Sequence, residues 1–124
     1  MIWIYRLLIV LVSGTVLNVW FLRQAQATPY RGADALSLKE EFLAYGLSEP
    51  LFYTIGGIKV LAAIMLLIGL KVKKWVKPAA QIIALLMVGA IAMHLKVGDP
   101  MIKSLPAIVM LTMSISILQL DKNN

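Results

Sequence analysis

A run of twenty residues, LFYTIGGIKVLAAIMLLIGL from Leu51 to Leu70, contains one charged side chain, Lys59. Nothing else in the chain restricts the fold so strongly. At 1.5 Å per residue a helix of that length reaches about 30 Å, the thickness of a bilayer's hydrocarbon core. Three further apolar blocks obey the same rule, at about 2–22, 78–95 and 105–120; the last is short and carries Thr112, Ser114 and Ser116. Of 124 residues, 60% are hydrophobic and 15% charged, where soluble domains carry about 25% charged. A soluble chain of this size has no interior large enough to hide that surface, and in lipid only helices or closed barrels satisfy their own backbone. The sequence therefore predicts an all-α integral membrane protein. Four spans form a transmembrane helix bundle, one domain over residues 1–124, with the lipid bilayer of the cell membrane as its first partner.

The net charge of +6 raises the question of an acidic partner, and its distribution answers it. Four of the twelve basic residues, Lys71, Lys73, Lys74 and Lys77, lie in KVKKWVK between the second and third spans. No aromatic-interleaved basic surface accompanies them, so the cluster reads as a topology signal and nucleic-acid binding is set aside. With four spans both termini share the side of this cluster. The positive-inside bias makes that side cytoplasmic, with Arg6 and Lys122 in support. The connections 23–50 and 96–104 lie opposite, where Arg23, Arg31, Lys39, Lys96 and Lys103 are scattered among Asp34, Glu40, Glu41, Glu49 and Asp99. Trp3 and Trp75 at the inner boundary and Trp20 at the outer one fit an aromatic belt. The first block has a rival reading as a secretory signal peptide, since Arg6, the apolar run and AQAT at 25–28 resemble its three regions. Against this, the apolar stretch continues to Leu22 and Arg23 follows it.

The segment between the first two spans carries SLKEEFLAYG. Ser37 stands three residues before Glu40, the spacing of a capping box, and Gly46 suits a helix C-terminus. This predicts a short helix over about 38–45. Leu38, Phe42 and Tyr45 recur on one face opposite Lys39 and Glu40, so this amphipathic helix lies across the outer mouth of the bundle or in the headgroup plane. Pro50 suits the first turn of the next span.

An ionisable residue at mid-span costs about 2.5 to 3.5 kcal/mol on insertion scales and ordinarily faces the bundle interior. Lys59 lies roughly 12 Å below the outer end of its span, counted at 1.5 Å per residue, and helical side chains lean toward the helix N-terminus, here outward. Gly56, Ala62 and Ala63 make its neighbourhood small, as where a second helix approaches. Asn18 and His94 belong to the same leaflet. Lys59, Asn18, His94 and Gly56 therefore form a candidate polar pocket, with Glu40, Glu41, Glu49 or Asp99 as counter-ion. Two plainer readings stand beside it: Lys59 snorkels to the interface, and His94 is an interfacial residue. A single histidine and no cysteine give no metal site. No phosphate loop, nucleophile elbow or other catalytic constellation is visible, so no enzyme is assigned. A desolvated lysine forming a Schiff base is the one catalytic role these residues suggest.

GGIKVLAAIMLLIGL, PAAQIIALLMVGAIAMHLKVGDP and PAIVML together resemble the DoxX-like family of small four-helix membrane proteins. The more specific parts are Gly56 with Lys59, and Gly89, Ala90, His94, Gly98 and Asp99. The resemblance implies a quinone or redox-partner connection, with quinone as the cofactor to consider. Two readings of function follow. In one, the chain is a membrane binding or accessory subunit with an intramembrane pocket around Lys59. In the other, it is a structural or assembly partner of larger membrane complexes, or a homo-oligomer, with no ligand of its own. A transporter or channel is a third, disfavoured because four short spans offer little pathway to a monomer.

Overall fold

The computed structural model describes residues 2–22, 25 and 29–122. Its helices are α1 (Ile2–Leu17), continued by a π-helical turn over Asn18–Leu22, then α2 (Leu38–Ala44), α3 (Glu49–Ile68), α4 (Val76–Lys96) and α5 (Leu105–Asp121). Short 3-10 turns lead into α4 and α5, and four helices are long and apolar enough to cross a membrane: Ile2–Leu22, Glu49–Ile68, Lys73–Lys96 and Met101–Asp121. α1 packs on α3 and α5, and α4 packs on the same two, so the spans close into a ring in which sequence neighbours touch. The protein is an all-helical, four-span membrane bundle capped by one short helix, with no strand among the described residues.

The inward stripes follow helical spacing. α1 buries Tyr5, Ile9, Val12, Ser13 and Val16, and Trp20 extends the stripe into the π-helical turn. α3 contributes Phe52, Gly56, Ala62, Ala63 and Leu66, and α4 contributes Ala79, Ala80, Ile83 and Met87. Small residues at these seams bring the backbones close, the usual basis of helix association where lipid removes the hydrophobic drive. Outward positions such as Leu7, Leu61 and Leu85 are exposed and apolar, as a lipid-facing surface requires. On α5 the hydroxyls of Thr112, Ser114 and Ser116 each bond the carbonyl four residues back, so this span hides its own polar atoms.

Helix ends explain where expectation and structure part. Ser48 accepts a hydrogen bond from the Leu51 amide at 3.4 Å, and the second span starts at Glu49 instead of Leu51. Pro50 sits in its first turn, where no amide donor is needed. Likewise α4 starts at Val76 and holds Pro78 in its first turn.

α2 begins where Ser37 accepts from the Glu40 amide at 3.1 Å. The Glu40 carboxylate reaches the Leu36 amide at 2.9 Å, one residue before the position a strict capping box would use. The helix ends in a Schellman motif, with Gly46 at φ 83° and Leu47 N–H donating to the Phe42 carbonyl at 3.1 Å. Phe42 meets Trp20 with ring centroids 5.9 Å apart and Phe52 at 5.2 Å, so α2 lies across one end of the bundle. Trp20 is thus not a boundary residue of an aromatic belt. It is 7% exposed at the centre of an aromatic cluster, because its place one turn after Val16 keeps it on the inward stripe of α1.

Candidate functional site

Beneath α2 the bundle encloses a cavity of about 310 Å³, within the range of small-molecule sites. Its lower wall is apolar, with Val16, Val19, Met87, Ala90, Ala107 and Met110; its upper wall carries Arg31, Glu41, Lys59, His94 and Lys103. Each polar residue arrives by a different local device.

His94 and Asp99 are joined by the end of α4. The sequence HLKVGDP closes a second Schellman motif: Gly98 takes φ 72°, the Gly98 amide donates to the Leu95 carbonyl at 3.1 Å, and the Asp99 amide donates to the His94 carbonyl at 3.0 Å. That turn returns Asp99 to the side of His94, where its Oδ2 lies 2.8 Å from the ring Nδ1. The other carboxylate oxygen accepts from the Ala33 amide at 2.9 Å. Burial alone raises the Asp99 carboxyl; the hydrogen bonds from His94 and Ala33, with the pull of His94 and Lys103, outweigh it and hold it below its ordinary value.

α2 supplies the opposite wall through Glu41, with Tyr45 one turn further on behind it. Tyr45 donates its hydroxyl to Glu41 Oε1 at 2.5 Å, and the Arg31 guanidinium stands 3.6 Å from Oε2. Burial, then the hydrogen bond to Glu41 and its charge, push the Tyr45 phenol above its ordinary value. The ring leans edge-on to His94 at 5.8 Å between centroids, and its hydroxyl is 3.4 and 3.5 Å from the two imidazole nitrogens. Lys103 ties the 29–31 segment to the α4–α5 connection, donating to the Arg31 carbonyl at 2.7 Å and the Pro29 carbonyl at 3.3 Å. Lys96 does the same for α2 through the Tyr45 carbonyl at 2.9 Å.

Lys59 differs from all of these. It is half-buried on α3 and lines the cavity, with its ammonium 5.8 Å from the centroid of the Trp20 ring. Among the described residues it has no hydrogen bond and no ion pair, and the carboxylate whose field it feels is Glu41. Among the described residues the cavity wall holds Arg31, Lys59 and Lys103 as cations and Glu41 as a carboxylate.

Of the residues expected from sequence, Lys59, His94 and Glu41 share this cavity, and Asp99 stands behind His94. Asn18 does not join them. Two positions before Trp20 on the same turn, it points to the outside of the bundle and is exposed. Gly56 does not line the cavity either; it makes room for the Trp20 ring that does. Glu49 is engaged outside with Lys39 at 2.7 Å, and Glu40 with the Leu36 amide. The four lysines from Lys71 to Lys77 are exposed at the opposite end of the bundle. Among the described residues no group of acidic or histidine side chains could hold a metal ion.

Arg31, Tyr45, Lys103 and Trp20 were not expected in a site. For Tyr45 a signal existed, since it follows Glu41 by one helical turn on the face that carries Leu38. For Arg31 and Lys103 none did, because their loops are brought together only by tertiary structure.

A sequence model described as the DoxX-like family matches residues 12–116, most of the chain. No curated protein and no solved structure matches it.

Proposed function

This chain belongs to the DoxX-like family, and on that premise we propose that it is a small membrane binding or accessory subunit whose cavity holds a lipid-soluble molecule by an anionic or carbonyl oxygen at Lys59. The observation that carries this reading is Lys59 itself. An ammonium inside a span, on a cavity wall and without a hydrogen-bonding partner among the described residues, costs insertion energy that the Trp20 ring offsets only in part. A ligand oxygen would supply the missing partner. A quinone fits the donor set: its carbonyl can accept from Lys59, and Trp20, Met87 and Met110 offer an apolar bed for its ring. When bound, such a group would bring redox chemistry; the chain's own part is to orient its oxygen and exclude water.

The exposed members of the cavity wall support entry from the membrane. Thr15 on α1, Pro106 on α5 and Tyr30 above them are exposed, so the mouth lies along the seam between α1 and α5. Under the positive-inside rule this end of the bundle faces away from the cytoplasm.

The test is mass spectrometry of organic extracts from purified protein. Wild type is expected to carry a stoichiometric lipophilic ligand, and Lys59→Met to lose it while remaining monodisperse; equal ligand content in both would sink the reading. A second reading, an assembly partner in a larger complex, is favoured by a shallow groove on the α1–α3 side lined by Phe21, Tyr53, Gly57 and Val60. Crosslinking in intact membranes that captures a constant partner, with no ligand in the extract, would select it.

A further inference from the structure

We infer that His94 is a proton acceptor inside the cavity, and that the ligand class is an amphiphile whose head carries an ionisable hydroxyl, entering as the neutral acid and held as an oxyanion. The inference deepens the binding role proposed for Lys59 and rests on it.

The mouth and the wall make opposite demands. A molecule arriving through the α1–α5 seam comes from hydrocarbon, where a free anion is costly. The wall it reaches offers a cation in Lys59, which has no hydrogen bond and no ion pair among the described residues. A neutral acid satisfies both demands if its proton has somewhere to go. Glu41 is not available as the acceptor, because its two oxygens already face the Tyr45 hydroxyl and the Arg31 guanidinium. Asp99 is not available either, since its oxygens face the His94 ring and the Ala33 amide.

His94 is placed for that task. The imidazole is 5% exposed and lines the cavity, and Asp99 fixes its orientation through Nδ1 at 2.8 Å. With Nδ1–H directed at the carboxylate, the lone pair belongs to Nε2, which stands 3.5 Å from the Tyr45 hydroxyl, a distance too long for a formed bond. That hydroxyl gives its hydrogen to Glu41 instead.

The step balances within the site. The ligand O–H bond breaks, its proton passes to Nε2, and no electron is transferred. The resulting imidazolium is paired with Asp99, and the ligand oxyanion is paired with Lys59. Arg31 and Lys103 add positive potential, while Glu41 opposes it from α2. Release reverses each event. Asp99 is a positioning residue here, since it acts on the ligand only through the ring.

The probe is a nitrophenol bearing an alkyl tail, whose phenolate is coloured, added to the full chain in nanodiscs of phosphatidylcholine. Wild type is expected to bind it saturably and to lower its apparent pKa by at least one unit, about a tenfold change in the ionisation constant, relative to empty discs. The methyl ether of the probe should bind about tenfold more weakly, having no proton to give. H94Q is expected to bind the phenol but lose most of the pKa shift. D99N, which keeps the ring, should lose part of it and serves if H94Q does not fold. A bound probe that titrates as in empty discs, or an H94Q and D99N pair that both titrate like wild type, would overturn the assignment of His94 while leaving the Lys59 reading intact. Absence of saturable binding by wild type overturns the ligand class, and the extracted-ligand comparison then decides the wider reading. Undiminished binding by K59M would instead remove the reading on which this one rests.

Discussion

The Trp20 indole occupies the space above Gly56: a β-carbon placed on that glycine would stand 2.3 Å from the nearest ring atom. No side chain fits there without moving the indole, and the indole also stands 5.8 Å from the Lys59 ammonium. Gly56→Ala should therefore destabilise the protein by about 1 to 3 kcal/mol through overpacking, despite the roughly 1 kcal/mol that alanine gains in helix propensity. Thermal unfolding in detergent, with Trp20 emission read in a W3F/W75F background, checks both effects. A variant of equal stability with unshifted emission would show that the glycine is not needed for the indole.

The acid and alkaline limits of stability should be set by different residues. Asp99 has a folded value held below the ordinary aspartate value of about 3.9, so its contribution is complete above that pH and is lost as pH falls through the lower folded value. Tyr45 has a folded value raised above the ordinary tyrosine value of about 10. Its contribution is complete below pH 10 and is lost as pH rises from there. D99N is expected to flatten the acid limb of a stability profile and leave the alkaline limb, and Y45F to do the converse. A D99N profile with an unchanged acid limb contradicts the assignment.

Ser13 is fully buried on α1, and among the described residues its hydroxyl is a buried side-chain atom with no hydrogen-bond partner. Removing an unpaired hydroxyl relieves its desolvation, so Ser13→Ala should raise stability by about 1 kcal/mol, at the low end of the penalty for such groups. A clear loss of stability in the same unfolding assay would mean that the hydroxyl has a partner in the membrane-embedded protein.

Tyr5 donates to Asp121 Oδ1 at 2.5 Å and so joins the start of the first span to the end of the last. Hydrogen bonds to charged acceptors contribute about 1.5 to 3 kcal/mol, so Tyr5→Phe should lower stability by that order. The loss should persist at high salt if the bond is shielded from solvent, and unfolding at two ionic strengths tests it.

The spans were legible because each is a block of apolar residues with its own length, a local property. The cap helix was legible for the same reason: Ser37, Gly46 and the Leu38–Phe42 face lie within ten residues. The His94–Asp99 pair was half legible. Sequence offers His94 as a pocket residue and Asp99 as a counter-ion, but only the left-handed turn at Gly98 makes them neighbours. Arg31 and Lys103 reach the cavity from loops 72 positions apart, which no periodicity encodes. Depth alone sets Asn18 beside Lys59, but its angular position on the turn carries it outside the bundle.

That turn has a consequence for chain length. A π-helical turn holds one residue more than an α-helical turn of the same rise, so Asn18–Leu22 amounts to a single-residue surplus in the first span. Deleting one residue there would close the turn to α-helical spacing and leave everything beyond it in place, whereas a deletion within Ile2–Leu17 would swing everything beyond it by about 100°. Trp20 would then leave the stripe of Tyr5, Ile9, Val12 and Val16, and the wall of the cavity would lose its indole with no change in hydrophobicity. In this bundle the site is encoded partly by residue count, and the first span tolerates a lost residue in that turn but not before it.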